Sequence, residues 1–139
     1  MAYTIQQTDT GGIRLLDEAS SSKGSITMSL FWDVARGATN TVTVGTLPAN
    51  ARITSIFVQV PVVSNAATTA TVSVGLSGGS ATYFSTAQDV KAAIGNFSQA
   101  ATANWAVATA SQAVTCTYTE TGTASTAGKF SVAVNYVVV

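Results

Sequence analysis

The chain predicts an all-β fold, an antiparallel β-sandwich or jelly roll with at most one short helix. Three observations carry this expectation. Apolar residues alternate at period two through most of the sequence. The alternating runs are filled with Val, Thr, Ile, Tyr and Phe, which pack well on a pleated surface. Gly, Pro and Asn stand at the breaks between runs. A length of 139 residues fits one domain, long enough to bury a core without disulfides or metals. Residues 1–10 read as an N-terminal arm or edge strand and residues 11–139 as a single sandwich. In that arm Ile5 is the only aliphatic side chain larger than alanine.

Taken in order, Ser25 to Val34 gives the clearest strand. Ile26, Met28, Leu30, Trp32 and Val34 fall on one face, and Thr27, Ser29, Phe31 and Asp33 on the other. Thr41 to Thr46 repeats the pattern with Val42 and Val44, and Leu47-Pro48-Ala49-Asn50 reads as a turn. Arg52 to Val60 places Ile56, Val58 and Val60 on one face and Ile53, Ser55, Phe57 and Gln59 opposite. The second set is partly apolar, so the strand is expected to be covered on both sides or to lie at a subunit contact. Pro61 and Ser64-Asn65-Ala66 are expected to end it. Thr69 to Leu76 carries Val72, Val74 and Leu76 inward, Ser77-Gly78-Gly79-Ser80 turns, and Thr82 to Ser85 starts a weaker strand. Ser85 to Gly95 has the spacing of a two-turn helix through Ala87, Val90, Lys91 and Ile94. Gln112 to Thr119 then carries Val114, Cys116 and Tyr118 inward, with Thr115, Thr117 and Thr119 outward. After the polar turn Glu120 to Gly128, Lys129 to Val139 carries Phe130, Val132, Val134, Tyr136 and Val138 inward.

Composition narrows the function. Hydrophobic residues make up 47% of the chain and charged residues only 9%, against roughly 25% in an ordinary soluble domain. Six basic and six acidic side chains cancel to a formal net charge of zero. No apolar run reaches the ~20 residues of a spanning helix; the nearest, Ile53 to Val63, is broken by Thr54, Ser55, Gln59 and Pro61. No membrane association is therefore expected. MAYTIQQTDT lacks the basic start and apolar core of a secretory signal. Thr, Ser, Ala, Asn and Gln must then cover the surface. Such a surface gives little repulsion between copies, which suits a subunit that tiles against neighbours. The plainer alternative is a small neutral domain. Arg14, Lys23, Arg36, Arg52, Lys91 and Lys129 are scattered singly, so no phosphate-binding patch is expected and nucleic acid is not a predicted partner.

Catalytic constellations are missing from the sequence. The chain contains no histidine, which excludes Ser-His-Asp and Cys-His arrangements and histidine metal sites. The available carboxylates are Asp9, Asp17, Glu18, Asp33, Asp89 and Glu120. Asp17 and Glu18 are sequence neighbours that a strand would point to opposite faces. No catalytic pair, metal site or cofactor is expected. Gly75, Gly78 and Gly79 lack phosphate-loop spacing and read as a turn. Cys116 alternates with apolar residues and reads as a small buried hydrophobe. Trp32 falls on the apolar face of its strand, a core position. Trp105 follows the polar loop Asn96 to Asn104 and is expected to plug one end of the sandwich, the alternative being an exposed sugar-stacking platform.

Two stretches carry a resemblance. TVTVGTLPANARITSIFVQVPVVSNAATTATVSVGLSGGSATYFSTAQDV (residues 41–90) and VTCTYTETGTASTAGKFSVAVNYVVV (residues 114–139) resemble small virion proteins of tailed bacteriophages. The shared features are a strand ending in Leu-Pro, a long apolar strand, a Thr/Asn-rich turn and a closing hairpin. These are packing and turn residues, and they cover over half the chain. The resemblance implies a capsid decoration, cement or minor head protein. Such a protein would sit on the outer capsid surface, bind the major capsid protein and often form a homotrimer. Similar chains also occur in tails or fibres, so a tail or neck adaptor is a second expectation. A carbohydrate-binding module, with Trp105 exposed, is a third from another class. The expected contact residues are Tyr3 and Ile5 in the arm Tyr3 to Thr10, with outward-facing Phe31 and Phe57 as further candidates.

Overall fold

The computed structural model describes the backbone of residues 3–7, 13–17, 28–34 and 40–139, and side-chain packing from residue 40 onward. Among the described residues ten strands run in the order β1 (Tyr3–Gln7), β2 (Ile13–Asp17), β3 (Met28–Val34), β4 (Asn40–Leu47), β5 (Ala51–Val62), β6 (Thr69–Leu76), β7 (Gln88–Asp89), β8 (Gly95–Ser98), β9 (Gln112–Thr121) and β10 (Lys129–Val138). Eight of them form two four-stranded sheets, β3-β10-β5-β8 and β4-β9-β6-β7, and every pairing is antiparallel. The chain changes sheet at each step from β3 to β10 except between β6 and β7. That order is the double Greek key of a jelly roll. β1 and β2 pair with each other, Tyr3 opposite Asp17 and Gln7 opposite Ile13, in a separate two-stranded ribbon. The ribbon spans the sequence boundary between residues 10 and 11. The expected start of the third strand at Ser25 lies outside the described residues.

The alternation read from sequence builds the core. Ile56, Val58 and Val60 of β5, Val72 and Val74 of β6, Val114, Cys116 and Tyr118 of β9, and Phe130, Val132 and Val134 of β10 are buried between the sheets. Each fully buried Val, Ile or Phe side chain contributes roughly 1.5–3 kcal/mol relative to exposure. By backbone register Trp32 stands opposite Val132, Val132 opposite Val58, and Val58 opposite Phe97.

Three bulges change what simple alternation predicts. In β5 one residue, Thr54, has no counterpart on β10, because Ser55 pairs Asn135 and Ile53 pairs Tyr136. The extra residue flips the parity of the strand. Ile53, expected to face outward, therefore joins Ile56 in the core, and Ala51 follows it. In β4 a bulge at Val44 does the same. Thr43 pairs Thr115 and Gly45 pairs Val114, so Val44 and Leu47 both reach the core. Leu47 thus ends a strand instead of belonging to the turn. The third bulge lies between Gln59 and Val62, opposite Phe130. Pro61 does not end β5, as the sequence suggests; it sits in the bulge, beyond the pairing with β8, where no amide is needed.

The predicted helix over Ser85 to Gly95 does not form. Gln88 and Asp89 pair with Val72 and Thr71 as β7, and Asp89 Oδ1 accepts from the amides of Lys91 (2.7 Å) and Ala92 (3.2 Å). This local turn competes with helix formation. Val90 enters the core and Ile94 is 68% exposed, so the two do not share a buried face. Among the described residues the helical element is a single 3₁₀ turn, Ala103–Trp105, capped by the Thr102 side chain. Thr82 to Ser85 is not a strand either. The amides of Phe84 and Ser85 both donate to the Val74 carbonyl (3.0 and 3.1 Å), and the Val74 amide donates to Ser85 Oγ (2.9 Å). This turn covers the edge of β6 and drops Phe84 into the core. It also folds the backbone of Ser80 and Ala81 over Gly75. A Cβ at Gly75 would lie 2.6 Å from Ala81 backbone atoms, so only glycine fits.

The far end of the sandwich is closed by a buried polar cluster. Tyr118 stacks on Phe130 (centroids 5.2 Å apart), and its hydroxyl donates to Glu120 Oε2 (2.7 Å). Ser64 and Ser125 hydroxyls lie 3.1 and 3.3 Å from the Tyr118 hydroxyl oxygen. Asn65 Oδ1 accepts from the amides of Thr126 and Ala127, both at 2.8 Å, pinning the β9–β10 turn to the β5–β6 loop. Tyr118→Phe keeps the ring and the stack but strips the hydroxyl from partners that stay buried. It is expected to cost about 1–3 kcal/mol in urea denaturation, with an unchanged m value.

Candidate assembly surface

Strand order decides what the outward residues can do together. Phe31 and Phe57 both stand opposite Ala133, on β3 and β5 respectively. Directly opposed residues share a face, so the two phenylalanines fall in one row across the outer face of the β3-β10-β5-β8 sheet, with the small Ala133 between them. Ser98 of β8 continues the row beside Phe57, which is half-buried. Polar rows flank it on both sides. One contains Ser29, Asn135 and Ser55; the other contains Asp33, Ser131, Gln59 and Asn96. Asn135 Nδ2 donates to Ser55 Oγ (2.9 Å) and Ser131 Oγ donates to Gln59 Oε1 (3.0 Å), so the flanking rows are internally bonded. An apolar centre inside a bonded polar rim is the anatomy of a protein–protein contact.

The outer face of the second sheet has a different character. Thr43, Thr115 and Gly75 form one row, Thr41, Thr117 and Ser73 the next, then Thr119 and Thr71, then Thr121 and Thr69. Hydroxyls pair across strands, Thr41 with Thr117 at 2.9 Å and Thr69 with Thr121 at 2.6 Å. The inner members, Ser73, Thr115 and Thr117, are buried although they face away from the core. Beside the turn that covers Gly75 runs a groove of about 200 Å³, lined by Thr41, Thr115, Thr117, Leu76 and Gly78 among others. Among the described residues no titratable side chain lines it.

Sequence reasoning missed one apolar surface. Val107, Val138 and Val139 are 43%, 48% and 54% exposed. Backbone bonds tie their segments together at the β4–β5 end: Asn50 N to Ala108 O (2.7 Å), Ala108 N to Ala51 O (2.8 Å) and Val139 N to Asn50 O (3.0 Å). Asn50 takes a left-handed conformation there, φ 64°, which asparagine tolerates. Val138, expected inward, is exposed because it occupies the last paired position of β10, where the strand runs out past the sandwich. The only hint in the sequence is the run of three valines after Tyr136.

Trp105 is half-buried and packs against the core. Its indole N–H donates to the Phe84 carbonyl (2.7 Å), while Asn104 Nδ2 donates to the Tyr83 carbonyl (2.8 Å). The residue clips a loop to the sandwich and its polar edge is already engaged. Tyr3 and Ile5 lie in β1, and together with Phe31 they are placed by backbone register alone. The ribbon and the Phe31–Phe57 row belong to different sheets.

Titration points to the alkaline range. Burial pushes the Cys116 thiol up to about 12 from 9.0. Burial, reinforced by Glu120, raises the Tyr118 phenol, and burial raises that of Tyr136. A raised acid contributes stability that is intact below its unfolded value and lost as pH climbs toward its folded value. The fold should therefore begin to weaken above about pH 9, read as a falling melting temperature by circular dichroism. Cys116→Ala should move the onset upward. Within the folded protein at pH 8 the thiol should resist alkylation.

The fold is thus an eight-stranded jelly roll with an aromatic row on one sheet and a hydroxyl face on the other. No protein-family model matches the chain, and no curated protein matches it. Solved structures do. A chain of the cyanophage Pam1 capsid asymmetric unit superposes with a TM-score of 0.68 at 24% identity, over 89% of this chain and 93% of that one. A chain of the acid-stable capsid of Helicobacter pylori bacteriophage KHP30 gives a TM-score of 0.57 at 16% identity, over 81% and 93%. A chain of the capsid of Ralstonia phage GP4 gives 0.57 at 15% identity, over 88% of each. At these identities the likeness is one of fold. It covers more than four fifths of each chain in all three cases.

Proposed function

We propose that this protein is a non-enzymatic structural component of a phage virion, a decoration protein that binds the outer capsid surface and stabilises the head. The observation that carries the proposal is the match, over almost the whole of each chain, to three chains from phage capsids. The chemistry supports it. A surface with few charges and an outward aromatic row suits lasting contact with neighbouring subunits. A homotrimer standing on the major capsid protein would repeat each weak contact at symmetry-related positions, so that avidity supplies the net attachment. The outer Phe31–Ala133–Phe57 row and the β1–β2 ribbon, which holds Tyr3 and Ile5, are the contact surfaces.

The test is co-sedimentation of the purified protein with phage heads stripped of accessory proteins, alongside light scattering for its native mass. A trimer that pellets with heads to a saturable level supports the proposal. Protein that stays in the supernatant and instead pellets with isolated tails would assign it to the tail or neck.

A further inference from the structure

The edges of the two sheets are not treated alike. β7 is two residues long and β8 four, and short edges of this kind resist unwanted pairing. β3, the third edge, carries a charge at Asp33. β4 is an eight-residue edge with no charged residue and no proline. Among the described residues no backbone hydrogen bond reaches its outer side. Its one irregularity is the bulge at Val44, which leaves Asn40 to Thr43 as the regular stretch open to a partner.

The β1–β2 ribbon presents the complementary problem. Two five-residue strands make a structure that is marginal by itself in water, and in the single chain the ribbon joins neither sheet. Among the described residues no strand pairs with the outer edge of β1, and its sequence, YTIQQ, is also uncharged. Its five residues are enough to cover the four regular residues, Asn40 to Thr43, that β4 offers before the bulge. Ten residues separate β2 from β3, enough chain to span up to about 35 Å, so the ribbon can reach a neighbouring molecule.

We infer that β1 adds to the free edge of β4 in a second copy of this chain, extending that sheet in trans to the order β2-β1-β4-β9-β6-β7. The contact is head-to-tail, the kind that forms a ring where the rotation between copies closes. Main-chain bonds supply the attachment. This deepens the oligomeric part of the proposed function but is independent of capsid binding, since it concerns the protein alone.

The experiment uses the full chain in solution without heads. With Cys116→Ser as background, Gln6→Cys is combined with Thr41→Cys or Thr43→Cys, both exposed positions on β4, and mildly oxidised. Disulfide-linked dimers and trimers on a non-reducing gel are expected. In parallel, hydrogen exchange on the unaltered protein should find alternate amides between Asn40 and Leu47 protected despite their edge position. Ile5→Pro, which removes a β1 donor, should speed their exchange at least tenfold. Links confined within one chain, no links at all, or β4 edge amides that exchange freely in the unaltered protein would each overturn the inference. Any of these could occur with capsid binding intact, so its failure is separable from failure of the capsid proposal.

Discussion

Phe84→Ala is expected to lower stability by about 3–5 kcal/mol. Phe84 lies in a turn, not in a strand, yet it is fully buried among the strand side chains of both sheets. Its neighbour Tyr83 meets it edge-on, with ring centroids 4.9 Å apart. Its backbone is bonded on both sides, the amide to Val74 and the carbonyl to the Trp105 indole. Those bonds hold the turn in place, so the site cannot collapse to fill the space left by the ring. For a chain of this length the loss corresponds to a fall of about 10–15 °C in Tm, measurable by calorimetry. Trp105→Phe, which removes the indole donor but keeps most of the ring, should cost about 1–2 kcal/mol. A Phe84→Ala protein within 1 kcal/mol of the parent would mean that the turn is not part of the core.

The second large effect is on binding. Phe57→Arg should weaken attachment to stripped heads by about 30-fold or more, the scale of an interface hot spot of ~2 kcal/mol. Phe57 stands on the outer face of its sheet, so the substitution leaves the core rows of Val58 and Ile56 untouched. Folded stability should change by less than about 1 kcal/mol. Phe31→Arg, across Ala133 in the same row, should have a similar effect. In an oligomer the loss recurs at every copy, and avidity turns a modest local change into detachment. Thr121→Arg, an exposed position on the hydroxyl face of the other sheet, is the control and should leave head binding unchanged. Equal loss from Phe57→Arg and Thr121→Arg would indicate a general charge effect and remove the aromatic row as the contact.

Much of this architecture is legible in the sequence, because strands that are half buried announce themselves by alternation. β6, β9 and β10 fall close to where the pattern places them. What alternation cannot reveal is a bulge. Nothing in ARITSIFVQV distinguishes a regular strand from one with an extra residue at Thr54, yet that residue decides whether Ile53 faces solvent or core. Leu47 was hidden for a related reason, since a leucine before proline reads as turn until the bulge at Val44 brings it inward. The false helix at Ser85 to Gly95 arose because apolar spacing says nothing of Asp89, whose side chain closes a local turn. The candidate surface was half legible. Phe31 and Phe57 each read as outward, but their meeting across Ala133 depends on strand order, which no local pattern encodes. The valine patch at the β4–β5 end depends on loops from three separate segments meeting, and sequence offers no periodic signal for that.

The most direct test of the central claim is quantitative mass spectrometry of purified virions after separation into heads and tails. A decoration protein should be found with the heads, at a copy number comparable to that of the major capsid protein. It should also be released by conditions that leave the underlying shell intact. Absence from the virion, or recovery with the tail fraction at a few copies per particle, would contradict the account.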